Sequence, residues 1–254
     1  MRIAKLLAVS AALAILPAAS ASMAQRPLAA AVADSAQRSP DNVKLDESRK
    51  PAEVLAFLGL KPGMKVLDPF GLNKYWAEIT STVVGPKGHV TVWEPAQFNK
   101  GEGPKAFDEF KAKHQNVNLV VSPFETPDFG SGGYDLALIN LDYHDVYWQS
   151  DKYGIPRMEP DAWLKTLYAA MKPGGTVGVI DHVAAANSDT RAEVEKSHRI
   201  DPEVIKADFK RAGFVLAGTS DLLRNPADDH SLLVFDPKIR GKTDRAVLKF
   251  KKPR

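Results

Sequence analysis

Apolar and polar positions along this chain follow two periods, and the period changes at short turn-rich breaks. Lys65-Val66-Leu67-Asp68, His89-Val90-Thr91-Val92-Trp93, Val117 to Val121, Tyr134 to Leu141 and Thr176 to Asp181 are apolar runs of strand length. Between them, Pro51 to Leu60, Lys74 to Val84, Pro104 to His114 and Asp161 to Met171 predict helices. The last of these places Trp163, Leu164, Leu167, Tyr168 and Met171 on one stripe. Asp201-Pro202 reads as a helix cap followed by a first-turn proline, and that helix runs to Ala212 with Gly213 as its stop. Phe214 to Thr219 is a sixth strand. Arg245 to Lys251 is a half-buried seventh, in which Ala246, Leu248 and Phe250 alternate with mostly basic neighbours. Strands alternating with helices predict an α/β domain whose sheet is mostly parallel and covered on both faces. Such sheets bind ligands beyond the carboxyl ends of their strands, so the residues after each strand are where chemistry is expected.

The first 24 residues follow a different logic. Arg2 and Lys5 precede an uncharged apolar run from Leu6 to Leu16, and small residues follow, with Ala19-Ser20-Ala21 and Ser22-Met23-Ala24 as cleavage patterns. This order of parts is that of a secretory signal peptide, which predicts a periplasmic or secreted protein. The run is about half the roughly 20 residues needed to span a bilayer, and no later segment is long and apolar enough. Gln25 to Asn42, rich in Ala, Ser and Pro, reads as a flexible linker. One domain then extends from 43 to 254.

Composition narrows the function classes. The chain contains no cysteine, which excludes thiolate nucleophiles, disulfides and cysteine-bound metals. Arg2 and Lys5 are the only charges before residue 25, so the remainder carries 32 of the 34 basic side chains against all 31 acidic ones. That near-neutral balance gives no general drive toward nucleic acid. The basic bias after Pro237 reads as a solvated strand face.

Several features resemble class I S-adenosylmethionine-dependent methyltransferases. They are Val66-Leu67-Asp68 closing strand one, Glu94 closing strand two, Met171-Lys172-Pro173-Gly174-Gly175 before strand five and Ala212-Gly213-Phe214 before strand six. More narrowly, Arg49-Lys50-Pro51-Ala52-Glu53, Asn140 to Tyr147, His198 to Pro202 and Asp221 to Pro226 look like a family of exported bacterial proteins known as predicted methyltransferases. The resemblance covers nearly all of the chain after residue 24. It implies a Rossmann-like three-layer sandwich with a seven-stranded sheet whose last strand is antiparallel. It also implies S-adenosyl-L-methionine as cofactor, with Asp68, Gly71, Asn73, Glu94 and Asn140 as its binding residues. Glu94 would accept hydrogen bonds from the ribose hydroxyls, as acids after strand two do in dinucleotide sites. Asp68 would orient the amine, or cap the turn. The sequence departs from the family in the first loop, Pro69 to Trp76, where Leu72 and Lys74 fill positions usually held by glycine. Asn73 is able to supply the left-handed turn there.

A second group follows strands four and five and precedes the helix at Asp201. It comprises His144, Asp145, Asp181, His182 and His198, with Asn140, Asp142 and Arg199 nearby. Imidazoles and carboxylates on one sheet edge suit general acid/base work on a hydroxyl or amine, with His144 or His182 as base and Asp145 or Asp181 orienting it. Their spacing matches no established metal motif, so no metal site is assigned from sequence. Tyr143, Tyr147, Trp148 and Tyr153 either wall a pocket or pack as a small core. Two readings stand: an exported methyltransferase acting on a small molecule, or a non-catalytic or repurposed ligand-binding protein on the same scaffold.

Overall fold

The computed structural model describes residues 28–186 and 189–254, so the signal segment and the first residues of the linker lie outside the described residues. Seven strands form one sheet: β1 (Lys65–Pro69), β2 (His89–Pro95), β3 (Val117–Ser122), β4 (Tyr134–Asn140), β5 (Met171–His182), β6 (Val215–Ser220) and β7 (Arg245–Lys251). Their order is β3-β2-β1-β4-β5-β7-β6. The first five are mutually parallel, and β7 runs antiparallel between β5 and β6. The chain starts at the centre with β1, builds outward to β3, and returns to add β4 on the other side of β1. That reversal opens the switch-point crevice at the ends of β1 and β4.

Each face of the sheet carries its own core. On one side α4 (Pro51–Leu58), α5 (Tyr75–Val84) and α6 (Gly103–Lys113) bury Val54, Leu55, Tyr75, Ile79 and Phe107 against Val66, Val90 and Leu138. On the other, α7 (Pro160–Ala170) and α9 (Pro202–Arg211) bury Trp163, Leu164, Leu167, Ile205 and Phe209 against Leu67, Ile139, Val179 and Phe250. Cover on both faces explains why β4 and β5 read as nearly unbroken apolar runs. Gly178 in β5 marks one close approach, since a Cβ there would lie 2.5 Å from Leu58 Cδ1.

Four expectations change. Residues 28–42, expected as a flexible linker, are built into the fold. Helix α1 (Leu28–Ala33) buries Ala31 against the α4/α5 core. Arg38 is buried and forms a bidentate pair with Asp46 at 2.6 and 2.7 Å. Helices α2 (Pro40–Val43) and α3 (Asp46–Arg49) then run over the loop after β1, where Tyr75 Oη donates to Asp46 Oδ1 at 2.7 Å. A helix not expected from the sequence, α8 (Thr190–Ser197), follows β5. Strand β5 begins at Met171, because the Pro173-Gly174-Gly175 turn is absorbed by an irregularity in its pairing with β4. The basic last strand is an inner strand, buried from Arg245 through Leu248. The lysines here do more than meet solvent: Lys249 in β7 donates to Phe57 O in α4, and Lys252, just after the strand, donates to Tyr168 O and Met171 O at the end of α7. Cations at those carbonyls complement both the unpaired groups and the helix dipole.

Candidate functional site

The cofactor candidates occupy the ends of β1, β2 and β4. Asp68 is buried, and its Oδ2 has no hydrogen-bond partner. Burial, reinforced by the neighbouring Glu94 carboxylate and opposed by Arg49, pushes its pKa up to about 8. Gly71 closes over it: a Cβ at that position would stand 2.7 Å from the Asp68 carboxyl carbon. Glu94 is also buried, and its pKa is pushed up to about 7 by burial, against one hydrogen bond at 3.2 Å from the Leu72 N–H. Asn140 is buried at the end of β4.

The loop between β1 and α5 keeps a backbone that suits glycine without the glycines. Phe70 has φ 60° and Lys74 has φ 67°, both left-handed, while Gly71, Leu72 and Asn73 form a 3-10 turn between them. The left-handed turn assigned to Asn73 is therefore carried by its neighbours. Asn73 instead accepts from the Tyr75 N–H at 3.0 Å, satisfying a free donor at the start of α5. The Phe70 ring turns down into the core against Trp93, Phe124 and Trp163. Leu72 leans toward Gly103 at the start of α6.

The polar group after β4 and β5 comes together as expected. His144 is buried and fixed twice by Asp181. Its backbone N–H donates to Oδ2 at 2.9 Å, and its Nδ1 lies 2.8 Å from Oδ1. Burial alone would lower the His144 pKa, but Asp181, Asp145 and Asp142 outweigh it and raise it to about 9. The His182 ring is 6.0 Å from the His144 ring, centroid to centroid, and its Nδ1 lies 2.7 Å from Thr243 Oγ1. Burial, then the proximity of His144, Arg199 and Arg245, depresses the His182 pKa well below its ordinary value. His198, at the C-terminal cap of α8 with φ 52°, brings Nδ1 to 3.3 Å from His144 Nε2. Asp142 is pushed well above the usual carboxylate range by burial and by Asp145.

Other nearby residues are structural. Arg199 is fully buried, gripping Asp228 through two bonds of 2.9 and 3.0 Å and donating to Val183 O and Leu232 O. Asp201 caps α9 by accepting from the Glu203 N–H. Tyr143 belongs to the core and, like Tyr147, donates to Asp208 Oδ2. Trp148 packs on His198, and Tyr153 is exposed. A cavity of about 510 Å³ lies under this loop. It is lined by Tyr147, Gln149, Ser150, Asp151, Arg157, Arg191, Ala192 and Glu195, and by none of the five candidate catalytic side chains.

Sequence reasoning gave no role to Arg49, Thr243 or Arg245. Arg49 stacks its guanidinium 4.2 Å from the Tyr75 ring centre, and its charge acts on Asp68 and Asp142. Arg245 pairs in register with His182 and donates to Ser48 O. Arg49 did carry a signal, as the first residue of the Arg49-Lys50-Pro51 motif.

No family model matches the chain, and no curated protein matches it. Solved structures do. A S-adenosylmethionine-dependent methyltransferase from Aquifex aeolicus aligns over 84% of this chain and 94% of its own, with TM-score 0.57 and 18% identity. The [4+2]-cyclase SpnF aligns over 81% and 80%, with TM-score 0.56 and 15% identity. The 1,6-didemethyltoxoflavin-N1-methyltransferase of Burkholderia thailandensis, with bound 1,6-didemethyltoxoflavin and S-adenosylhomocysteine, aligns over 97% and 94%, with TM-score 0.53 and 16% identity. The chain thus has the fold of the class I methyltransferases, with seven strands and an antiparallel β7. Identity at this level establishes the fold alone, and the cyclase is a reminder that one fold hosts different chemistries.

Proposed function

We propose that this protein is an exported methyltransferase that uses S-adenosylmethionine to methylate a hydroxyl or amine of a small molecule. The observation that carries the reading is the pair of buried carboxylates at the ends of β1 and β2. Asp68 has an oxygen without a partner, and Glu94 has one hydrogen bond to a backbone N–H. Two acids with spare acceptors at adjacent strand ends suit a ligand that brings an ammonium and vicinal hydroxyls. A buried acceptor left without a donor costs about 1–3 kcal/mol, which such a ligand would recover. Gly71 lets the loop backbone lie directly over Asp68, and the left-handed Phe70 and Lys74 keep the path of a glycine-rich turn.

In this reading Asp68 and Glu94 hold the cofactor, whose methyl group is bonded to an electron-poor sulfur. The chain must then align the acceptor in line with that carbon and take up its proton. Alignment and proton uptake fall to the histidine cluster. Asp181 holds His144 by its backbone N–H and by its ring Nδ1, and Thr243 meets the ring Nδ1 of His182.

Calorimetry of the chain from residue 25 onward with S-adenosylmethionine and S-adenosylhomocysteine tests this. Saturable binding of both is expected, weakened about 5- to 150-fold in Glu94→Ala, the equivalent of about 1–3 kcal/mol. Absence of binding to the folded protein would favour a repurposed scaffold. Export is tested separately: the N-terminus of the exported protein should begin near Ser22 or Gln25, and an intact Met1 would refute it.

A further inference from the structure

Three donor atoms converge where β4, β5 and α8 meet. His144 Nε2 lies 3.3 Å from Asp145 Oδ1 and 3.3 Å from His198 Nδ1, and His198 Nδ1 lies 3.6 Å from Asp145 Oδ1. The triangle is close to equilateral. Among the described residues this is the group of three or more histidine, aspartate or glutamate side chains whose ligand atoms gather closely enough to hold one ion.

A tetrahedral ion with bonds of about 2.0–2.1 Å to nitrogen and oxygen separates its ligands by about 3.3–3.4 Å. An octahedral face with the same bonds would bring them to about 2.8–3.0 Å. The observed edges of 3.3, 3.3 and 3.6 Å are nearer the tetrahedral face than the octahedral one, and a tetrahedral ion would keep a fourth position open.

Three further features suit a cation. Asp145 Oδ1 is buried and has no hydrogen-bond partner, although two ring nitrogens stand within 3.6 Å of it. His144 Nδ1 faces Asp181, whose side chain is almost wholly buried. A proton on Nδ1, donated to that carboxylate, leaves the Nε2 lone pair directed at the other two atoms, as in carboxylate–histidine–metal arrangements. Trp148 and Phe235 pack around the His198 ring and limit its freedom.

We infer that His144, Asp145 and His198 bind one divalent transition-metal ion of the zinc class, oriented by Asp181, with the fourth position taken by water or by an oxygen ligand. With no cysteine in the chain, a nitrogen and oxygen donor set is what it offers. This inference does not depend on methyl transfer; with His144 bound to the ion, proton uptake in that reaction would fall to His182.

The test uses tag-free protein from residue 25 onward, stripped with a chelator and titrated with zinc chloride by calorimetry and with cobalt chloride by visible absorption. One equivalent should bind, and the cobalt adduct should show the intense visible bands of a tetrahedral site. His144→Ala, His198→Ala and the near-isosteric Asp145→Asn should each weaken zinc binding at least 100-fold. Asp181→Asn should weaken it about 10- to 100-fold. His89→Gln, remote from the cluster, should leave it unchanged. Circular dichroism confirms that each variant is folded, and Asp145→Asn keeps the test decisive if a histidine variant is not. No saturable binding to folded wild type, full retention in Asp145→Asn, or the weak cobalt spectrum of an octahedral surface ion would overturn the inference.

Discussion

Alanine and glycine should exchange their usual ranks at Phe70. The Phe70 backbone is left-handed, at φ 60° and ψ 24°. A side chain with a Cβ in that region costs about 1–2 kcal/mol relative to the right-handed basin. Glycine escapes this cost and loses roughly 0.5–1 kcal/mol through its freer unfolded chain. The balance favours glycine over alanine by about 0.5–1 kcal/mol. At an ordinary helical position such as Ala77, glycine is worse than alanine by about 1 kcal/mol. The ring is a separate contribution. It packs edge-on to Trp93 and Phe124, at 5.1 and 5.4 Å between centroids, and stacks on Trp163 at 6.3 Å. Its loss should cost about 3–5 kcal/mol in either variant. Phe70→Ala and Phe70→Gly should therefore both be clearly destabilised, with Phe70→Gly the more stable. Urea unfolding with a shared m-value reads the difference, and a melting shift of about 2–4 °C per kcal/mol accompanies it. Lys74, with φ 67° and a half-buried side chain, supplies a second site where the same inversion is expected without the aromatic loss. If alanine equals or exceeds glycine at both positions, the loop does not hold the left-handed path ascribed to it.

Three more outcomes are expected. Asp68 and Glu94 have pKa values raised on folding, to about 8 and about 7, so the folded state holds protons that the unfolded state has released above about pH 4. Their contribution to stability is full below that pH and is lost as pH rises toward about 8; melting temperature against pH should show this slope, and Asp68→Asn should flatten it. Asp228→Asn should destabilise by about 3–5 kcal/mol, because Arg199 would remain buried without a charge partner, and zinc and S-adenosylhomocysteine affinities should stay put. Asp201→Ala should cost about 0.5–2 kcal/mol in chemical denaturation through loss of the α9 cap, again with ligand affinities unaltered.

What the sequence shows of this fold depends on where burial is imposed locally. Strands β4 and β5 are covered on both faces, so their apolar runs were legible, β4 with bounds close to those observed and β5 only from Thr176 onward, past its start at Met171. Helix α8 was not legible, because Val194 and Ser197 are its buried residues and six of its eight positions face outward or sideways. Its one local sign is Asp189, whose side chain accepts from the Ala192 N–H. The segment 28–42 was misread because its order comes from distant polar partners rather than from an apolar period. Arg38 needs Asp46, and the Ser39 N–H reaches Glu78 at 3.2 Å. The site divides in the same way. His144, Asp181 and His182 sit at the ends of parallel strands, so topology alone gathers them on one edge. Arg245 and Thr243 reach that edge through an antiparallel strand whose register with β5, Arg245 opposite His182, a pattern of alternation does not supply.

The distribution of unpaired buried groups bears on whether this edge is a site or a relic. Among the described residues, nine buried side-chain polar atoms lack a hydrogen-bond partner, and four of them, Arg49 Nη1, Asp68 Oδ2, Asp145 Oδ1 and Arg245 Nε, lie at or beside the carboxyl ends of β1, β4 and β5. Each such atom costs about 1–3 kcal/mol against a paired or apolar alternative. A scaffold shaped by stability alone gains by replacing them, since exchanging buried ionic groups for well-packed apolar ones is often neutral or stabilising by about 1–4 kcal/mol. Elsewhere in the same molecule some braces are fully paired, whereas Arg38 Nε and Glu78 Oε2 beside the N-terminal helices are not. Arg199 spends its donors on Asp228 and two carbonyls, and Asp244 accepts from Arg224, the Asn225 N–H and His230. What sets the strand-end atoms apart is their gathering: two acids and two arginines with unpaired atoms stand at one sheet edge. In the two proposed roles, an ammonium with hydroxyls would answer Asp68 and Glu94, and a divalent cation would answer His144, Asp145 and His198. Arg49 acts electrostatically on Asp68 in the one part and on Asp142 beside the other.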